Sequence, residues 1–363
     1  MSDKFKVLIL GASYGSLLAT KLAMGEHHAT LVCLPTEADL INREGTIVRF
    51  PIRGRAELAE VKSKNLRGTI SATSPLHANP EDFDLVVLAM QEPQYAARDV
   101  RDLMERIARL GLPIMSIMNM PPQTFLRRMP GVDVDKLNDC FLASTVWDLF
   151  DPDLMTLCSP DPQAFRPPEE GLNVLQVTLP TNFKAAAFAR RKDTAMLRSI
   201  QADIETARLS TNDGDLEIPV KLKVHDPLFV PTAKWAMLLT GNYRCVKADG
   251  ARSIREAVHS DLELSRAIYN WVQEVCIKLG AASADLVPFE KYAAAAQGLS
   301  KPSSAARALF AGAPHIERVD LLVQKIAAQL GMHNDILDAT VKTVTDRLEL
   351  NRKSQSSQLT KTA

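Results

Sequence analysis

No apolar run in the sequence approaches the roughly 20 residues a membrane-spanning helix needs, so no such span is expected. An excess of charge of either sign is also missing. Lys plus Arg and Asp plus Glu both count 43, leaving no overall field to favour nucleic acid or an anionic membrane. The five cysteines (Cys33, Cys140, Cys158, Cys245, Cys276) form no C-x-x-C pair, which argues for reduced thiols rather than a disulfide framework or a zinc site. There is no G-x-S-x-G elbow, H-E-x-x-H pair or paired-carboxylate motif. His27 and His28 make no ligand set with Cys33, so neither acyl transfer nor metal chemistry is expected. The opening MSDKFKV carries no apolar signal-type stretch. A cytoplasmic protein with a local site for a small neutral-to-anionic ligand fits these absences.

What is present is an ordinary globular composition, 46% apolar and 24% charged. At 363 residues the chain exceeds one hydrophobic core, so two domains are expected. Apolar runs at 5–10, 30–34, 84–90 and 114–118 alternate with helix-like stretches at 17–24, 37–44 and 95–110. That rhythm predicts an α/β fold with a Rossmann-type doubly wound parallel sheet. A looser Arg- and Lys-rich region lies at 49–67, a proline-rich loop or irregular hairpin at 157–171, and a turn cluster at 210–215. Beyond 227 strand signals almost vanish, and helices are expected at 231–246, 254–279, 301–310, 315–330 and 334–348. The expected layout is a dinucleotide-binding domain over 1–219 with an enlarged middle at 129–219. An all-α domain for substrate and dimerisation follows at 220–350, then a polar, mobile tail at 351–363.

The stretch KVLILGASYGSLLATKLA (6–23) carries the first functional signal. A strand running into a helix through glycine leaves the first helical amides unpaired and aimed at an anion. Gly11 can make the turn and Gly15 can let the helix pack close to the sheet, while Ser13 stands where G-x-G-x-x-G has its second glycine. Gly11, Ala12, Ser13, Tyr14, Gly15 and Ser16 are therefore candidate cofactor contacts. The competing reading is a packing turn without a ligand. The second strand ends Cys33-Leu34-Pro35-Thr36, with neither the acid that binds a ribose diol nor an arginine for a 2′-phosphate. Thr36 can cap the next helix or bond a phosphate. With no acid there to repel the phosphate, NADP is favoured and NAD is not excluded.

Four segments in order resemble the ketopantoate reductase (2-dehydropantoate 2-reductase) family: the opening turn, IMSIMNMPP (114–122), PTAKWAMLLTGN (231–242) and KPSSAARAL (301–309). The resemblance implies that Asn119, with Met118 and Met120 replacing its usual glutamine and glycine, lies beside nicotinamide and substrate. It implies that Lys234 is the general acid and Asn242 a substrate contact, with Leu238 in place of an intervening asparagine. It further implies Ser304 against a substrate carboxylate, Glu317 within 315–317 against a substrate hydroxyl, and Gln91 where the family has a cofactor-binding lysine. Each residue has an ordinary alternative. Lys234 and Glu317 can be helix-surface residues, Asn119 a turn former and the 303–304 serines a helix cap.

A lysine suits the proton step when burial lowers its pKa, and Lys234 and Asn242 would share one face of a helix. The expected activity is NAD(P)H-dependent reduction of a small 2-oxo acid or related carbonyl compound, by a homodimer. An opine- or imine-type dehydrogenase on the same scaffold is the next reading, and a non-catalytic NAD(P)-binding sensor the third.

Overall fold

The computed structural model describes residues 4–212 and 214–362. Asp213, within the turn expected at 210–215, lies outside the described residues, as do residues 1–3 and Ala363. The chain divides into two units. The first comprises Met1–Met90, Gln94–Phe125 and Thr145–Asp226, and the second Gln91–Pro93, Leu126–Ser144 and Pro227–Ala363. The change of unit thus falls after Asp226 rather than after 219, and residues 126–144 go with the helices.

In the first unit, β1 (Lys6–Leu10) is buried at four of its five residues, as a parallel strand covered on both faces requires. It pairs in parallel with β2 (His28–Val32), which pairs with β5 (Thr69–Thr73). On its other side β1 pairs with β6 (Leu85–Leu88), followed by β7 (Ile114–Ile117) and β8 (Met155–Ser159), all parallel. β11 (Phe183–Ala186) joins β8 antiparallel and carries β14 (Leu222–His225) at the edge. The chain therefore leaves β1 in one direction and returns to build in the other, placing the topological switch between β1 and β6.

Around the Arg- and Lys-rich region and the proline-rich loop lies a second sheet that the sequence reading does not assemble, although 173–179 reads as a strand. Its order is β4 (Ala59–Lys62), β3 (Ile47–Phe50), β10 (Val174–Leu179), β9 (Gln163–Phe165). Val48, Phe50, Val61, Leu175 and Val177 of this sheet share one core with Leu17, Leu18 and Leu22 of helix α1 (Ala12–Met24). With β1 on one side and the second sheet on the other, α1 is buried at eleven of thirteen positions. Its sequence, apolar nearly all round, suits that place. α2 (Pro35–Glu44), α3 (Arg98–Leu110) and α4 (Arg191–Thr206) are the other long helices of this unit, and β12 (Leu209–Thr211) and β13 (Gly214–Leu216) form a hairpin.

The second unit is helical apart from the short pair β15 (Val246–Lys247) and β16 (Gly250–Ala251). The single helix expected at 254–279 is two, α5 (Ile254–His259) and α6 (Leu262–Leu279). The Asp261 side chain caps α6 by accepting from the Leu264 amide, and so breaks the run. α7 (Phe289–Ala296), α8 (Ser304–Phe310), α9 (Val319–Gln329) and α10 (Asp335–Thr362) follow. α10 continues through residues 351–362, where polar composition suggests a mobile tail. The anchor is polar too: Asn351, buried, donates to the Leu309 and Ala313 carbonyls at 2.8 and 2.9 Å. Among the described residues, no helix is long and apolar enough to cross a membrane.

Candidate active site

At the end of β1 the chain turns through one residue. Gly11 has φ +107°, and its amide donates to the Val32 carbonyl of β2 at 2.9 Å. A Cβ there would stand 2.7 Å from Met90 Cγ and 2.8 Å from the Ala89 carbonyl, so both φ and space demand glycine. Gly15 lets α1 sit on β1, since a Cβ would lie 2.7 Å from Ile9 Cγ2. Ala12 is buried and Ser16 donates to the Ser13 carbonyl within the helix. Ser13 itself is exposed. No side chain caps this N-terminus. Tyr14 instead donates its hydroxyl to the Pro162 carbonyl (2.7 Å) and sets its ring edge-on to Phe183.

At the end of β2, Leu34 and Thr36 are exposed, and α2 starts at Pro35 with Leu34 as its N-cap residue. Thr36 therefore lies inside the first turn and does not cap it. The first acid beyond the strand end is Glu37, one residue past Thr36. Glu37 is buried here and forms an ion pair with Arg166, which follows β9. Glu37 raises the Cys33 thiol and Arg166 lowers it, while burial, the largest influence, pushes it up to about 12. No spacing rule could connect residues 129 positions apart.

Asn119 lies just past β7, half-buried, and its Oδ1 is buried with no hydrogen-bond partner. A buried orphan acceptor is costly unless something fills the role. Gln91 is exposed just after Met90.

In the second unit the remaining candidates converge on one irregular helical segment. Residues Val230–Ala233 form a 3₁₀ turn, Lys234–Met237 an α-turn, Leu238–Asn242 a π-helix and Tyr243–Cys245 another 3₁₀ turn. Eight residues of α-helix make about 2.2 turns, which would leave residues 234 and 242 on one side but about 80° apart around the axis. π-bonding puts more residues into each turn, bringing the two closer to whole turns apart. Between 229 and 246 only Lys234, Met237 and Asn242 are not buried, consistent with one accessible face. The π-turn has a visible support. Tyr292 donates its hydroxyl to the Met237 carbonyl (3.0 Å), and a Cβ on Gly241 would stand 2.1 Å from that hydroxyl oxygen. Leu238, where the resemblance has an asparagine, is buried.

Two hydrogen bonds bring the other candidates to this segment. Ser303 donates to the Asn242 carbonyl at 2.7 Å and accepts from the Ala306 amide, so Ser303 caps α8 while Ser304 is exposed in its first turn. Tyr243 donates to the Glu317 carbonyl (2.5 Å) and accepts from the Val319 amide. Burial pushes the Tyr243 phenol well above its ordinary range. Glu317 is itself buried, with Oε1 accepting from the Glu92 amide at 3.3 Å, and Arg318 beside it is locked to buried Asp320. Glu92, another buried acid, accepts from the amides of Leu142 and Ala143. Sequence reasoning missed it.

Burial holds Lys21 of α1 down to about 7. Its Nζ donates to the carbonyls of Ile218 and Pro219 at 2.9 and 3.1 Å, two acceptors for the two hydrogens of a neutral amine. One further cluster was absent from the sequence reading. His333 shares its two ring nitrogens with Asp335 and Asp338 (2.8 and 3.1 Å) on an exposed stretch of the second unit.

No protein-family model matches the chain, and no curated protein matches it. Solved structures do. D-mandelate dehydrogenase with NADH and anilino(oxo)acetate superposes with a TM-score of 0.64 at 13% identity, over 96% of this chain and 99% of that one. 2-dehydropantoate 2-reductase from Methylococcus capsulatus does so with 0.63 at 12%, over 95% and 96%. A dimeric ketopantoate reductase from Staphylococcus aureus gives 0.56 at 10%, over 95% and 99%. Identity this low speaks for architecture alone: the chain has the fold shared by ketopantoate reductases and D-mandelate dehydrogenase.

Proposed function

We propose that the protein is a nicotinamide-dinucleotide-dependent reductase of small 2-oxo acids. The observation that carries the reading is the seat of Gly11, a turn without a Cβ at the switch point of the sheet, leading into a helix whose first amides no side chain caps. The orphaned Asn119 Oδ1 fits the same group, since it is an acceptor awaiting the N–H of a carboxamide or the O–H of a substrate. When bound, the reduced dinucleotide supplies the hydride.

The chain's own residues would do the rest. The amides of 12–14 would hold the diphosphate, with Ser13 and Ser16 in the same helical turn, and Thr36 and Gln91 would be further cofactor contacts. Asn119 orients amide and carbonyl groups. Lys234 donates a proton to the carbonyl oxygen, Asn242 and Glu317 position the substrate, and Ser304 meets its carboxylate. Anilino(oxo)acetate and dehydropantoate, named with the similar structures, share a 2-oxo acid, and this is the substrate class we assign. NADPH is the favoured cofactor and a homodimer the favoured assembly, as in the dimeric Staphylococcus aureus protein.

Titration with NADPH and NADH, followed by nicotinamide fluorescence, tests the reading together with turnover of a 2-oxo acid panel. Lys234→Ala is expected to lower kcat/KM by about 10²- to 10⁴-fold while leaving cofactor affinity nearly unchanged. Failure of both cofactors to bind at millimolar concentration would overturn the proposal. A strict amine requirement would favour the imine-forming reading. Tight binding without turnover, indifferent to Lys234→Ala, would favour the sensor.

A further inference from the structure

Residues 162–166 connect two helix N-termini. At one end the Pro162 carbonyl accepts the Tyr14 hydroxyl in the first turn of α1, and at the other Arg166 pairs with Glu37 in the first turn of α2. These helices follow β1 and β2, whose carboxyl ends are where a dinucleotide's diphosphate and adenosine ribose lie in a doubly wound sheet. The segment belongs to the second sheet through β9, which pairs with β10. That sheet therefore lies against the first turns of the helices that follow β1 and β2.

The Arg166 side chain is about one-quarter exposed and that of Glu37 one-tenth, so the guanidinium retains an open side while its carboxylate partner is nearly covered. Apolar Leu34 and Phe165, neighbours in sequence to this pair, are exposed. A guanidinium presents a planar fork of donors that matches phosphate oxygens. The β2 end itself offers no basic group, only Cys33, Leu34, Pro35 and Thr36.

We propose that Arg166, delivered by the second sheet, is the cation that meets the 2′-phosphate of NADPH, with Glu37 as the positioning residue that holds it at the end of β2. This rests on the dinucleotide reading of the first unit and adds the group that decides between the two cofactors. Arg166 turns one edge of its fork to the 2′-phosphate while Glu37 keeps the other. NADH offers no phosphate there and gains nothing from it.

The test compares the unaltered protein with Arg166→Met and Arg166→Lys, titrated with NADPH and with NADH. Arg166→Met should weaken NADPH about tenfold or more, the usual consequence of losing a charge-assisted contact, and leave NADH within about threefold. Arg166→Lys should fall between. If Arg166→Met proves too unstable to purify, Arg166→Lys carries the test, because it retains charge without the fork. A ratio of NADPH to NADH affinity identical to that of the unaltered protein would overturn the assignment of Arg166 while leaving the dinucleotide reading intact. Failure of the unaltered protein to bind either cofactor would overturn both.

Discussion

The two units present their candidate groups by different means. In the first, the candidate cofactor seat is made by backbone, with Gly11 turning the chain and α1 offering its uncapped amides. In the second, candidate groups are side chains on a helix whose register departs from α at Leu238–Asn242. A site made of backbone depends on the few positions where a Cβ cannot be placed, as at Gly11. A site made of side chains depends on register, so residues that touch nothing reactive become decisive.

The strongest attack on the first unit is Gly11→Val. It forces a β-branched residue to φ +107° and a Cβ into Met90 and Ala89, and cofactor affinity measured by fluorescence should fall about a hundredfold or more. In the second unit the matching attack is Gly241→Ala, which collides with the Tyr292 hydroxyl. It should raise KM for the 2-oxo acid about tenfold and leave the Kd for NADPH near that of the unaltered protein. An equal loss of cofactor binding would show that register matters to both units alike.

The third prediction separates the two lysines. Lys21 is neutral when folded above about pH 7, chiefly because it is buried, with nearby Lys221 adding to the effect. The unfolded chain holds that proton up to the ordinary lysine range near pH 10.5. Between these values the unfolded state binds more protons, so stability should rise with pH by up to about 1.4 kcal/mol per unit. Denaturant melts across this window should lose that slope in Lys21→Met, while Lys234→Ala should retain it. The smallest effect is expected for Ser13→Gly, which restores the missing glycine and should change cofactor affinity by no more than about twofold. A large gain would show that the serine obstructs the diphosphate.

Legibility in the sequence followed the same division. The strand-turn-helix at 6–24 was readable because burial on both faces leaves an unbroken apolar run and because a turn of φ +107° needs glycine. Strands β3, β4, β5 and β9 were not. They are short; β3, β4 and β5 alternate buried with half-buried or exposed residues, as IVRF and AEVK do, and β9 has no buried residue, so no apolar run announces them. Lys234, Asn242 and Glu317 could be named from resemblance, but the π-turn could not. The hydrogen bond beside it comes from a tyrosine about fifty residues downstream, which no local pattern announces. Ser303 was readable as a cap from KPSS alone, and the fold gives it that role. The Glu37–Arg166 pair was invisible because its members meet only when the second sheet forms.

The widened coil at Leu238–Asn242 also bears on the length of the chain there. A π-turn takes up one residue more than an α-turn, so removing a single residue here would let the backbone relax to regular α-bonding while the side chains beyond it keep nearly the same facing. Tyr243 would keep its reach to the Glu317 carbonyl. Inserting or removing a residue in a regular α-turn, by contrast, swings every later side chain about 100° round the axis.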